Sequence, residues 1–159
     1  MLKANILPTV TEWFKRDSQQ TPHNIMVISD DLDYLHQICS ALTETGCTVT
    51  VPGNVLETLI MLDEGQMPHL FICDFREPQV DGKTLIEKMR IRFGRRTMPP
   101  IIFLLDSPED EVMARELGVD DVLPKSLEVE VMVASLAKIM ERIATATRQA
   151  DVKVTSKSR

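Results

Sequence analysis

The chain is 159 residues long, 43% apolar but only 4% aromatic, with a formal net charge of −6. That is enough for one domain around a sizeable, mainly aliphatic core, with nine Met to fill irregular gaps. The negative balance argues against nucleic acid as the main partner. No run is apolar enough for a signal-peptide core or a membrane span, so the expected location is cytoplasmic.

Residues 1–23 stand apart as an N-terminal extension. Ile6, Val10, Trp13 and Phe14 fall on one face of a short amphipathic helix, and Gln19-Gln20-Thr21-Pro22 reads as a linker. The segment is expected to fold back on its own domain; binding a partner is the alternative.

From Ile25 onward strands and helices alternate. Strand one is Ile25–Ile28. A helix follows over Leu32–Thr45, with Leu35, Ile38 and Leu42 at helical spacing and Gly46 as its stop. Strand two is the β-branched run Cys47–Val51. Asn54 opens helix two as its cap, with Glu57 as capping-box partner. Strand three is Leu70–Cys73, and helix three spans Lys83–Phe93. Strand four is Ile101–Leu105. Ser107, Pro108, Glu109 and Asp110 then form a strong helix start, and that helix ends at Gly118. Strand five is Val119–Leu123. Ser126 caps a last helix reaching about Gln149, and Val152–Arg159 reads as a basic, disordered tail.

These strands are unbroken apolar runs, so both faces of their sheet are covered. The chain is therefore an α/β protein with a doubly wound parallel sheet. Cys39, Cys47 and Cys73 are odd in number and lack CxxC spacing. They read as reduced thiols, not disulfides or metal ligands.

Ligands of such sheets bind beyond the carboxyl ends of the strands. Three strand exits carry charge there: Ser29-Asp30-Asp31 after strand one, Asp74 after strand three and Lys125 after strand five. Two carboxylate groups and a lysine suit phosphoryl transfer. Asp30 and Asp74 offer hard oxygens to Mg²⁺, an ionised aspartate can be the nucleophile, and Lys125 can meet a phosphoryl oxygen.

At this point residues 24–143 resemble the receiver domain of bacterial two-component response regulators. Asp74 to Gly82 is similar to the family's D-x-x-x-P-x-x-D-G motif, and Gly118 to Lys125 to its G-A-D-D-Y-[LI]-x-K run. Ile25–Asp31 resembles the strand bearing the acidic metal ligands. The resemblance implies a flavodoxin-like strand order, 2-1-3-4-5, with helices on both faces. It implies Asp74 as phosphoacceptor and Lys125 as the phosphoryl contact. The implied Mg²⁺ ligands are Asp30, Asp74 and the Arg76 backbone carbonyl, with Asp31 as a further candidate. It also implies a sensor histidine kinase or histidine phosphotransfer protein as phosphodonor, and signalling rather than enzymatic turnover.

The chain departs from the pattern in five places, one of them the segment between strand four and Gly118, about two residues shorter than typical. Ser29 stands at the first acid. Leu105 stands at the switch Thr or Ser, with Asp106 after it. Val122 replaces the switch aromatic, and Ser126 the proline after the lysine. Two functional readings follow: a phosphorylated receiver, and a degenerate receiver acting as a phosphorylation-independent interaction module. An unrelated Mg²⁺-dependent phosphoryl enzyme ranks below both, because no Gly-rich phosphate loop is evident. No output domain is visible, so the expected form is a stand-alone receiver that signals through protein contacts.

The remaining features have plainer readings. Asp81-Gly82 is a turn and helix start, and Asp120-Asp121 a solvated turn. His23, His36 and His69 carry no assigned role. The basic residues Lys83, Lys88, Arg90, Arg92, Arg95 and Arg96 form a solvated face. In the last helix Met132, Leu136, Ile139, Ile143, Ala146 and Ala150 are spaced like a heptad seam. Its first half should pack on the sheet. The overhang after about Glu141, which takes in the extension 144–159, or the last strand–helix units, could join two copies of the chain.

Overall fold

The computed structural model describes residues 23–75, 81–94 and 98–157, with side chains to residue 146. The Trp13–Phe14 segment, the 19–22 linker, Arg76 with residues 77–80, Arg95, Arg96 and the side chain of Ala150 lie outside them.

Five parallel strands form one sheet in the order β2-β1-β3-β4-β5. They are β1 Asn24–Ile28, β2 Thr48–Thr50, β3 Leu70–Asp74, β4 Ile101–Leu105 and β5 Asp121–Pro124. The helices are α1 Leu32–Glu44, α2 Val55–Asp63, α3 Gly82–Phe93, α4 Glu111–Glu116 and α5 Val129–Lys157. This is the predicted doubly wound α/β architecture in the predicted order.

Successive residues of a strand point to opposite faces, and each face has its own core. Ile25, Val27, Leu70, Ile72, Ile102 and Leu104 pack with Leu35, Ile38 and Leu42 of α1 and Met132, Leu136 and Ile139 of α5. Met26, Ile28, Phe71, Cys73, Phe103 and Leu105 pack with residues of α2, α3 and α4. The central strands β3 and β4 are buried along their whole length, as unbroken apolar runs require.

Helix starts follow their caps. The side chains of Asp31, Asn54 and Asp81 accept from the backbone N–H groups of Tyr34, Glu57 and Thr84. Glu57 reaches the Gly53 N–H at 2.8 Å rather than that of Asn54, extending the capping box by one residue.

Several boundaries differ from the sequence reading. β2 is trimmed to Thr48–Thr50, because the Cys47 N–H turns back to the Leu42 carbonyl and closes the end of α1. The helix start at Ser107 is a 3₁₀ turn, Pro108–Asp110, before α4 begins. β5 begins at Asp121 rather than Val119. Asp120 is not a solvated turn residue but brackets the start of β4: its carboxylate accepts from the Ile101 N–H at 2.7 Å, and its own N–H donates to the Ile101 carbonyl at 2.9 Å. Asp121 is likewise engaged, with Arg115 at 3.3 Å and Arg142 at 3.0 Å. Ser126 does not cap the last helix; it lies in a turn after Lys125, and α5 starts at Val129. That helix runs on to Lys157, so residues 152–157 of the expected disordered tail are helical.

Candidate functional site

β1, β3 and β5 deliver their last residues to the same carboxyl edge of the sheet. Asp74 ends β3 and is 1% exposed. The lysine after β5 reaches it: Lys125 Nζ lies 3.2 Å from Asp74 Oδ2, with the lysine side chain 8% exposed. Asp31 Oδ2 and Asp106 Oδ1 stand at 3.9 and 4.0 Å from the same nitrogen. Burying either charge alone would cost several kcal/mol, roughly the penalty of an uncompensated buried ion; each offsets the other here. The backbone holds the lysine too, because its N–H donates to the Leu105 carbonyl at 2.8 Å.

Ser29 closes the other side. Its hydroxyl, buried at the exit of β1, donates to Asp74 Oδ2 and accepts from the Asp31 N–H at 3.1 Å. Asp31 in turn caps α1 through the Tyr34 N–H at 3.1 Å. The Tyr34 ring lies beneath the lysine, its centroid 5.3 Å from Nζ, within cation–π range. Burial first, then the negative charges of Asp74 and Asp31, hold the Tyr34 phenol far above the ordinary tyrosine value.

Beyond β3 the chain must turn tightly. A Cβ on Gly82 would stand 2.7 Å from both the Asp74 carbonyl oxygen and a Phe103 ring carbon, so the start of α3 closes over the Asp74 backbone only with glycine there.

The structure thus joins Asp74, Lys125 and Asp31 in one charged cluster and sets Asp30 half-exposed beside it, directly after Ser29. Among the described residues no three His, Cys, Asp or Glu side chains converge as a metal site. The Arg76 carbonyl lies outside the described residues. Leu105 and Val122 are each 6% exposed and pack in the apolar core around Phe103, offering no polar atom to the site. The sequence reading missed Tyr34, and it treated Ser29 only as a lost acid. The available signal was their place on the strand-exit turn that also holds Asp31.

A sequence profile of the response regulator receiver domain matches residues 25–137. The chain belongs to the response regulator receiver domain family. Among curated relatives of this receiver, the response regulator protein GraR of Staphylococcus epidermidis is 31% identical over 124 residues, covering 75% of this chain and 52% of that protein. The sensory transduction protein BceR of Halalkalibacterium halodurans is 32% identical over 121 residues, covering 75% and 50%. The chain therefore spans about half the length of the curated relatives it matches. Among solved structures, a putative response regulator from Chloroflexus aurantiacus superposes with a TM-score of 0.67 at 25% identity, covering 76% of this chain and 99% of that one. The receiver domain of Francisella response regulator 1452 shares the fold, with a TM-score of 0.64 at 23% identity over 76% of this chain and 98% of that one. Receiver domains are modules of two-component signalling rather than conventional enzymes.

No helix among the described residues is long and apolar enough to cross a membrane.

Proposed function

We propose that this receiver accepts a phosphoryl group on Asp74 from the phosphohistidine of a sensor kinase or phosphotransfer protein, in the cytoplasm. The observation that carries the reading is the buried pairing of Asp74 with Lys125 at a strand exit. An Asp74 oxygen attacks phosphorus, the bond from phosphorus to the donor nitrogen breaks, and the imidazole leaves with the electron pair. Lys125 and Ser29 both meet Oδ2, and the new bond is assigned to Oδ1. Lys125 stands ready to balance the charge that the phosphoryl oxygens bring.

Mg²⁺ fits the donor set. Asp30 and Asp74, with the Arg76 carbonyl and water, would hold it through hard oxygens of the kind magnesium accepts, and Asp31, its side chain 48% exposed, is a further carboxylate. When bound, the ion supplies positive charge against the transferring group.

Incubation with an acyl phosphate and Mg²⁺, followed by intact mass, tests the reading. One phosphoryl mass is expected on the wild type and none on Asp74→Asn. Equal affinity for Mg²⁺ in wild type and Asp30→Asn would remove Asp30 from the ligand set.

One observation favours a second reading. Leu105 and Val122 are apolar and buried where a hydroxyl and an aromatic would relay the signal. A degenerate receiver that binds its partner irrespective of phosphorylation follows from that, and it predicts no mass gain. DNA contact is not proposed, given the net charge of −6. The dimer proposal narrows to the overhang of α5, because Met132, Leu136 and Ile139 are spent on the protein's own core. Sedimentation of a chain truncated after Arg142 tests it; an unchanged oligomeric state rejects it.

A further inference from the structure

We infer that Ser29 sets the lifetime of the phosphorylated state, acting as a built-in brake that favours unphosphorylated Asp74. The inference rests on the phosphoacceptor reading above. Ser29 is buried at the exit of β1, and its oxygen is engaged on two sides. The Asp31 N–H, at 3.1 Å, occupies an acceptor lone pair of the oxygen, and the hydroxyl proton is aimed at Asp74 Oδ2. An acidic side chain at position 29 would set a second negative charge against Asp74; the serine supplies a donor instead.

The direction of the effect follows from what Oδ2 is in each state. In unphosphorylated Asp74 it belongs to a carboxylate, and a hydroxyl donating to an ionised acceptor makes a charge-assisted bond about twice as strong as a neutral one. Once Oδ1 bonds to phosphorus, the negative charge moves out onto the phosphoryl oxygens. Oδ2 becomes the carbonyl oxygen of a mixed anhydride, a weaker acceptor. Ser29 therefore stabilises reactant more than product. In hydrolysis, water attacks phosphorus, the bond between phosphorus and Oδ1 breaks, and the carboxylate departs with the electron pair while inorganic phosphate and a proton are released. Charge returns to Oδ2 in that transition state, and Ser29 meets it with a donor already in place. The same hydroxyl slows loading of Asp74 and speeds its clearing.

Lys125 shares Oδ2 but does not duplicate this role. Its ammonium also faces Asp31 and Asp106, and its charge serves the phosphoryl oxygens as well as the carboxylate. Ser29 is neutral, short and held by the Asp31 N–H, so it cannot follow the charge outward.

The test uses the full chain as wild type, Ser29→Ala and Ser29→Thr, with circular dichroism to establish that each is folded. Each is loaded with an acyl phosphate and Mg²⁺ and then quenched with a chelator. The decay of the phosphorylated mass is followed with no metal available. Ser29→Ala is expected to reach a higher loaded fraction and to decay about fivefold more slowly, the loss of one charge-assisted hydrogen bond relative to a neutral one. Ser29→Thr keeps a hydroxyl and is expected to decay like the wild type. A Ser29→Ala half-life equal to or shorter than the wild type's, or a Ser29→Thr half-life matching that of Ser29→Ala, overturns the inference and leaves the phosphoacceptor reading intact. Absence of any Asp74-dependent mass gain in all three overturns that reading, and the brake with it.

Discussion

Lys125 is suspended from Leu105. Its backbone N–H donates to the Leu105 carbonyl at 2.8 Å, in a ladder that also pairs Leu105 with Pro124. A position whose side chain offers the site no polar atom still places the lysine through its backbone. The geometry separates two duties: holding Lys125 needs only a carbonyl at 105, whereas sensing a phosphoryl group there would need a hydroxyl.

Leu105→Ala should therefore cost stability but not chemistry. The side chain is 6% exposed in the apolar core around Phe103, and truncating a buried leucine costs about 2–5 kcal/mol. Urea unfolding should show that loss, while the Asp74 mass gain under acyl phosphate persists at temperatures where the variant is folded. Loss of the mass gain in a folded variant would mean that the Leu105 side chain itself orders the lysine.

Lys125→Ala leaves Asp74 buried without its cation. Breaking a buried pair from one side costs about 3–5 kcal/mol, and most of that should return when Asp74→Asn removes the stranded charge. Urea unfolding of the two single variants and the double variant measures this coupling. Additive losses would mean that the 3.2 Å contact contributes little to folding.

Tyr34 is the only tyrosine in the chain, so tyrosinate absorbance reports it alone. Its phenol is held far above the ordinary value, first by burial and then by Asp74 and Asp31. The folded protein thus retains the proton at pH values where the unfolded chain, ionising near about 10, has lost it. The resulting stability is fully present below about pH 10 and falls as pH rises beyond it, by about 1.4 kcal/mol per unit. Urea midpoints compared at about pH 9 and about pH 11 should drop less in Tyr34→Phe than in wild type. Because the Tyr34 hydroxyl is buried with no hydrogen-bond partner among the described residues, Tyr34→Phe should be neutral or stabilising at pH 7. A clear destabilisation there would reveal a partner for the hydroxyl.

Gly82→Ala tests the tight closure over Asp74. The added Cβ meets a backbone oxygen and a buried ring, both at 2.7 Å, and neither yields like the end of a flexible side chain. A loss of about 1–3 kcal/mol is expected from forcing atoms into a packed site, read as a lower urea midpoint. An unchanged midpoint would show that the start of α3 moves away at no cost.

Much of this protein is written locally. Unbroken apolar runs such as Leu70–Cys73 determine that the sheet is covered on both faces, and residues such as Asn54 and Asp81 announce helix starts through side chains that cap their own backbone. Asp74 and Lys125 were legible as site residues because each follows a strand, and parallel strands bring their ends to one edge. The misplaced boundaries have a common cause. Ser126 has the chemistry of a cap but lies in a turn, and Asp120, which looks like a solvated turn residue, is tied to Ile101 across the sheet.

What the sequence determined by itself is the alternation of strand and helix and the charged groups at three strand exits. The tertiary structure alone decided that Ser29 and Lys125 meet on a single oxygen of Asp74, from 45 and 51 residues away, with Tyr34 beneath the lysine. Hydrophobic periodicity records which face of an element is buried. It does not record which side chains meet once the crossovers have set the order of the strands. Contacts of that kind depend on register and on backbone bonds such as that from Lys125 to Leu105, and these exist only when the sheet is assembled.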